Sequence, residues 1–290
     1  MRLLLAAFLT AAWTISYPLV AQETAPLAKT SPAAVVRICR HPTCPSCLIA
    51  ETTSFRILWC ASETDVRDLA ESCERLSSQS RAAWLGAAKP AAWTPQCDIV
   101  VHASSADYVA CMGPQSAQTS GCATIRIDQG RVVLRRIDLC AEALDWRTES
   151  LPHELTHVVL ADRFSTRRIS PWADEGIAML AETPQKRDRR FTALRNSVTS
   201  GTTYTVHDLM DVRSFPEPAF RDAFYGQSVT LVTVLMQWGT RKQLLDFVEA
   251  SQTQGQEAAL SAVYGNRSLA QLERQLAQSV AGATQTASRN

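Results

Sequence analysis

Residues 151–160 read Leu151-Pro152-His153-Glu154-Leu155-Thr156-His157-Val158-Val159-Leu160, and the spacing within them decides the fold. Residues four apart on a helix lie one turn above each other on one face, so the imidazoles of His153 and His157 can point at a single metal ion. Glu154 sits one step around that face, within reach of a water bound between them. The stretch is otherwise apolar, with Leu151, Leu155, Val158, Val159 and Leu160, and predicts a largely buried helix. Burying two imidazoles and a carboxylate there costs several kcal/mol, of order 2–7 for each polar group, unless they are paired or ligate a metal. A catalytic zinc takes three protein ligands and keeps a fourth position for water, so one more ligand must come from elsewhere.

Residues 171–182, Pro171-Trp172-Ala173-Asp174-Glu175-Gly176-Ile177-Ala178-Met179-Leu180-Ala181-Glu182, offer it. Pro171 and Trp172 open a second helix, with Ile177, Ala178, Leu180 and Ala181 as its packing side. Seventeen residues separate His157 from Glu175, enough for a loop between two helices that meet at a metal. With H-E-x-x-H followed by W-x-x-E-G-x-A (Trp172 to Ala178), the chain resembles the gluzincin clan of zinc metallopeptidases, the peptidase MA-like group. The resemblance runs from about Phe55 to about Val280. It implies zinc as cofactor, His153, His157 and Glu175 as its ligands, and Glu154 as general base. It also implies an α+β, zincin-like fold in which a small N-terminal sheet offers an edge to an extended substrate. No third histidine follows His157 closely, as a metzincin requires, and the G-x-M-E-N segment of the clan's aminopeptidases is missing.

A zinc peptidase also needs a donor for the oxyanion of its tetrahedral intermediate. In the clan a tyrosine downstream of the third ligand fills this role, and the resemblance implies Tyr225. The alternative is a tyrosine packed in the core with its hydroxyl bonded locally. His207, in a region expected to border the cleft, is the substitute donor. His41 and His102 read as surface or hydrogen-bonded residues. Asp162, Asp174 and Glu182 are all candidates to orient a ligand imidazole, and the sequence does not choose among them.

Met1-Arg2 followed by apolar Leu3 to Ala12 reads as a secretory signal peptide cleaved after Ala21. The expected layout is then a signal peptide over 1–21, a Cys-containing extension over 22–53, the metallopeptidase domain over 54–282 and a tail over 283–290. Residues 22–34, rich in Ala, Pro and Thr, predict a flexible leader. All nine cysteines lie between Cys39 and Cys140, so the metal-bearing half must use His and carboxylate. In a secreted chain they predict disulfides, up to four with one thiol left over. A zinc knot from Cys39, Cys44 and Cys47 with His41 is the alternative. Cys44-Pro-Ser-Cys47 has redox-motif spacing but lacks the strand-helix pattern of a thioredoxin.

A mature chain of about 270 residues has room for one large domain or a domain plus an extension. Hydrophobic content of 46% supports a full core, and a net charge of +1 argues against a nucleic-acid binder. Strands are expected at Phe55–Cys60 and Asp98–Ala103, with a hairpin of Ile125–Ile127 and Val132–Ile137 about Asp128-Gln129-Gly130. A helix capped by Ser62 should run to Leu85. Others are expected at Phe224–Trp238, Arg241–Ala250 and Ser268–Val280, the last with Ser268 and Gln271 as a capping box. Residues 184–219 carry no clear pattern and are expected to contain loops beside the cleft, and Lys186-Arg187-Asp188-Arg189-Arg190 reads as a solvated loop or helix face rather than a ligand patch. The function expected is a secreted or periplasmic zinc metallopeptidase acting on peptide or protein substrates, with no nucleic-acid partner and no membrane span after signal cleavage. The alternative is a catalytically silent zinc-binding envelope or interaction module, which would have no use for Glu154.

Overall fold

The computed structural model describes residues 36–86 and 92–286. The expected signal peptide and the whole of the expected flexible leader lie outside the described residues. Six strands form one sheet in the order β1 (Arg37–His41), β2 (Cys44–Glu51), β3 (Phe55–Trp59), β4 (Cys97–His102), β6 (Arg131–Cys140), β5 (Gly121–Asp128). The β3–β4 and β4–β6 pairs are parallel and the other three antiparallel. Parallel neighbours need a crossover, and α1 (Glu63–Leu85) supplies the one between β3 and β4. Ser62 caps it as expected, its side chain accepting the Asp65 N–H at 3.1 Å.

Alternation gives β4 an inward face of Cys97, Ile99 and Val101. These pack with Phe55, Ile57, Ile137 and Leu139 beneath Val66, Leu69, Ala70 and Cys73 of α1. The β5–β6 hairpin turns through Gln129 (φ 46°) and Gly130 (φ 74°), with Asp128 opposite Arg131. Positive φ at both central residues is what a type I′ turn demands, and the twist of such a turn suits paired strands. Residues 37–51, within the stretch expected as an extension, join the sheet as β1 and β2.

The C-terminal half is helical, as expected: α3 (Leu151–Arg163), α4 (Pro171–Ala178), α5 (Pro184–Ser200), α6 (Val206–Asp211), α7 (Arg221–Trp238), α8 (Arg241–Gln254), α9 (Gln256–Tyr264) and α10 (Leu269–Thr286). A short α2 (Ser105–Met112) precedes β5. The capping box at α10 forms, with Ser268 N–H donating to Gln271 Oε1 at 3.0 Å and Gln271 N–H to Ser268 Oγ at 3.3 Å. Residues 184–219 do contain loops, at 202–205 and 212–217, but are mostly helix, with α5 capped by Thr183 and closed by Gly201 in the left-handed region (φ 69°).

Helix α3 belongs to two cores. Leu151, Leu155, Val158 and Val159 pack into the sheet core. Leu160 joins Trp172, Ile177, Leu231, Leu235 and Phe247 in the helical one. Leu155 is 1% exposed, and truncating such a side chain to Ala typically costs about 2–5 kcal/mol. No helix among the described residues is long and apolar enough to cross a membrane.

Candidate metal and active site

The chain enters α3 through one turn of π-helix, Trp146–Ser150, with Pro152 in the first helical turn where its missing N–H costs nothing. The i, i+4 spacing then stacks the two imidazoles edge to face, with ring centroids 4.9 Å apart. Helix α4 crosses beside α3 and delivers Glu175, whose Oε2 lies 3.4 Å from His153 Nε2. One ligand atom from each of His153, His157 and Glu175 falls within 4.8 Å of the others. Two nitrogens and one carboxylate oxygen are donors that zinc accepts, and three of them leave a tetrahedral position open.

Of the three orienting candidates, two lie at the site. His153 turns Nδ1 to Glu182 Oε1 at 3.2 Å, and His157 turns Nδ1 to Asp174 Oδ1 at 2.8 Å. Both are close ion-pair contacts without hydrogen-bond alignment. Each ring thus holds Nδ1 on a carboxylate and leaves Nε2 for a ligand bond. Asp162 is engaged elsewhere, by Arg135 at 2.6 Å, Trp93 at 2.8 Å and Arg81 at 3.3 Å.

The electrostatics fit a cation. Burial favours a neutral His153, but Glu175 and Glu182 outweigh it and push its pKa up to about 9. Burial is outweighed in the same way at His157, where Asp174 chiefly, with Glu175 and Glu154, raises the pKa to about 10. Glu154 is 9% exposed, and burial above all raises its pKa, with Glu175 adding to this. The two imidazoles and the Ala123 backbone N–H oppose the rise. Gly121, at the start of edge strand β5, borders Glu154 so closely that a Cβ there would lie 3.0 Å from its Cγ.

The basic run on α5 is only in part a solvated face: Asp188 and Arg189 are exposed, whereas Lys186, Arg187 and Arg190 are half-buried. Lys186 and Arg190 reach the fully buried Glu182 at 3.2 and 3.4 Å, and Arg189 reaches the nearly buried Glu149 at 3.3 Å. Thr183 donates its hydroxyl to Glu149 as well. Glu182 is held down to about 2, because His153, Arg190 and Lys186 outweigh its burial. Sequence reasoning missed Glu149 and the role of α5, since Glu149 lies 40 residues from Arg189 in the chain and nothing local marks Glu182 as buried.

Tyr225 sits one turn inside α7, half-buried, with the Arg190 guanidinium 4.8 Å over its ring. Burial raises its pKa first, then the charge of Glu175, with a smaller push from Glu154. It is therefore within electrostatic reach of the site. His207 is exposed on α6, beside Gln256 at 3.0 Å and Asp211 at 3.6 Å, and none of its partners is a site residue. His102 bonds Asp138 at 2.8 Å, and His41 accepts from the Thr43 N–H at 3.3 Å, as hydrogen-bonded residues.

Cys44, Cys47 and Cys60 bring their sulfurs together, with Cys47 paired to both of the others. Cys60 thus takes the place expected for Cys39. The other six cysteines are free thiols, so of the up to four bridges expected only this cluster brings cysteines into bonding distance. Cys73 and Cys97 are committed to the sheet core, and burial drives both thiol pKa values up.

A sequence model of the peptidase MA superfamily matches residues 97–282, more than half of the chain. The protein belongs to that superfamily, and is a metallopeptidase-like protein of the hydrolase type. No curated protein matches the chain.

Proposed function

We propose that the protein is an exported, zinc-dependent metallopeptidase with a zincin-like fold, in which His153, His157 and Glu175 hold the metal. The convergence of those three side chains, with Glu154 buried beside them, carries this reading. Zinc bound there would supply Lewis acidity, polarising a peptide carbonyl and acidifying water. Glu182 and Asp174 keep the imidazoles turned toward the ligand position. Glu154, with its pKa raised by burial, takes a proton from the attacking water and passes it to the leaving amine. The Tyr225 hydroxyl donates to the developing oxyanion. An extended peptide lies along β5, the sheet edge that borders Glu154.

The test is Glu154→Gln, which keeps the shape and removes the base. Zinc content should stay at about one per chain while peptide hydrolysis falls at least a hundredfold. Activity at the wild-type level in that variant would exclude the role of Glu154. A wild type that holds zinc and cleaves no member of a broad peptide library would favour the silent module instead.

A further inference from the structure

The three-sulfur cluster lies on the far strands of the sheet and takes no part in the metal site. Cys44 opens β2, Cys47 lies three residues on, and Cys60 follows the end of β3. The register pairs Leu48 with Trp59, which sets Cys47 and Cys60 side by side, their Cα atoms 3.9 Å apart. Cys44 and Cys47 are 5.3 Å apart by the same measure. The Cys47 sulfur is paired with both neighbours, yet one sulfur can hold only one disulfide bond.

We propose that Cys44, Cys47 and Cys60 form a thiol–disulfide exchange site, in which Cys47 bonds alternately to Cys44 and to Cys60. The burial pattern assigns the parts. Cys47 is buried, Cys44 half-buried and Cys60 exposed, so the shared sulfur is shielded and whichever sulfur is left over meets solvent. The Arg40 guanidinium donates to the Pro45 carbonyl at 2.8 Å, between Cys44 and Cys47 along β2, and Ser46 Oγ lies 3.4 Å from Cys44 Sγ. A hydroxyl within hydrogen-bonding distance of a partly exposed sulfur can donate to its thiolate form. Among the described residues no fourth donor joins the three sulfurs, so the cluster is less complete as a structural metal site, which takes four.

The chemistry balances with a small-molecule disulfide as the oxidant. The Cys60 thiolate attacks it, forming a mixed disulfide and releasing one small thiolate. The Cys47 thiolate displaces the second, so two protein thiols become the Cys47–Cys60 bond and one external disulfide becomes two thiols. The Cys44 thiolate then attacks Cys47 Sγ. The Cys44–Cys47 bond forms and the Cys47–Cys60 bond breaks. Its electron pair leaves on Cys60, which takes up the proton that Cys44 lost, with no net oxidation.

The full chain would be equilibrated in an oxidising glutathione buffer, quenched in acid, alkylated, digested at acid pH and mapped by mass spectrometry without reduction. The expected result is one blocked thiol among the three in every molecule, with Cys44–Cys47 and Cys47–Cys60 linkages both present. Cys44→Ser should leave only Cys47–Cys60, and Cys60→Ser only Cys44–Cys47. A single linkage in the wild type across a series of oxidising buffers would overturn the proposal. So would a linkage from the cluster to Cys39, or three thiols retained around a bound zinc. The wild-type map decides the matter even where a variant fails to fold.

Discussion

The carboxylates around His153 and His157 raise both imidazole pKa values, and this has a measurable consequence in each form of the protein. Both pKa values stand above the ordinary 6.5, at about 9 and about 10. Without metal, their contribution to stability is complete below 6.5 and is lost as pH rises through those two values. The chelated protein should therefore unfold at progressively lower denaturant concentration between about pH 7 and 10. Zinc must displace the same protons, so titration near pH 7 should release about two protons per ion. Heats of binding that do not change with the buffer's ionisation enthalpy would show that no protons leave. At Tyr225 the Arg190 guanidinium over the ring and the charge of Glu175 fix what to expect. Tyr225→Phe should lower turnover about ten- to a thousandfold, with zinc content unchanged. A wild-type rate would move the oxyanion donor elsewhere, but not to His207, whose partners lie outside the site.

Helices α4 and α7 meet at Gly176, immediately after Glu175. A Cβ there would lie 2.6 Å from the Ser228 carbonyl oxygen and 2.7 Å from Val232 Cγ2, and the first contact is backbone that cannot swing aside. Gly176→Ala should cost about 1–3 kcal/mol in denaturant unfolding and weaken zinc binding by shifting Glu175. Unchanged stability would mean that α4 can slide on α7. This contact also shows what the sequence makes legible. The helices of His153 and Glu175 could be read, because each combines a local motif with a starting signal at Pro152 or Pro171. The choice of Glu182 and Asp174 over Asp162 could not, since it depends on how α3 packs against its neighbours. Helix α5 was hidden because Lys186, Arg189 and Arg190 look solvated until the buried acids Glu149 and Glu182 come to face them. Strands β1 and β2 carry Arg37, Cys39, Arg40, Pro45 and Ser46 at exposed positions, so they lack the apolar alternation that marks β4.

Because α3 serves both cores, the sheet and the helical half should not melt independently. Asp162, near the end of α3, holds Arg135 of β6, Arg81 of α1 and the indole of Trp93. Asp162→Ala strands the nearly buried Arg135 and should cost about 2–3 kcal/mol. Probes of Trp93 in the sheet core and Trp172 in the helical core should still report one midpoint. Two separated transitions would show that α3 does not couple them. Strand β5 carries a different liability. A sheet edge left open for a peptide is equally open to the same strand of another molecule, and hydrogen bonds alone do not tell the two apart. What discourages self-pairing is the solvent side of β5, where Thr124, Arg126 and Asp128 are exposed between half-buried Ile125 and Ile127. Arg126→Val would remove the cation from that row and lengthen the apolar run, so light scattering of concentrated protein should show self-association that the wild type resists. The solubility of the folded enzyme is thus set in part along the same strand that would receive its substrate.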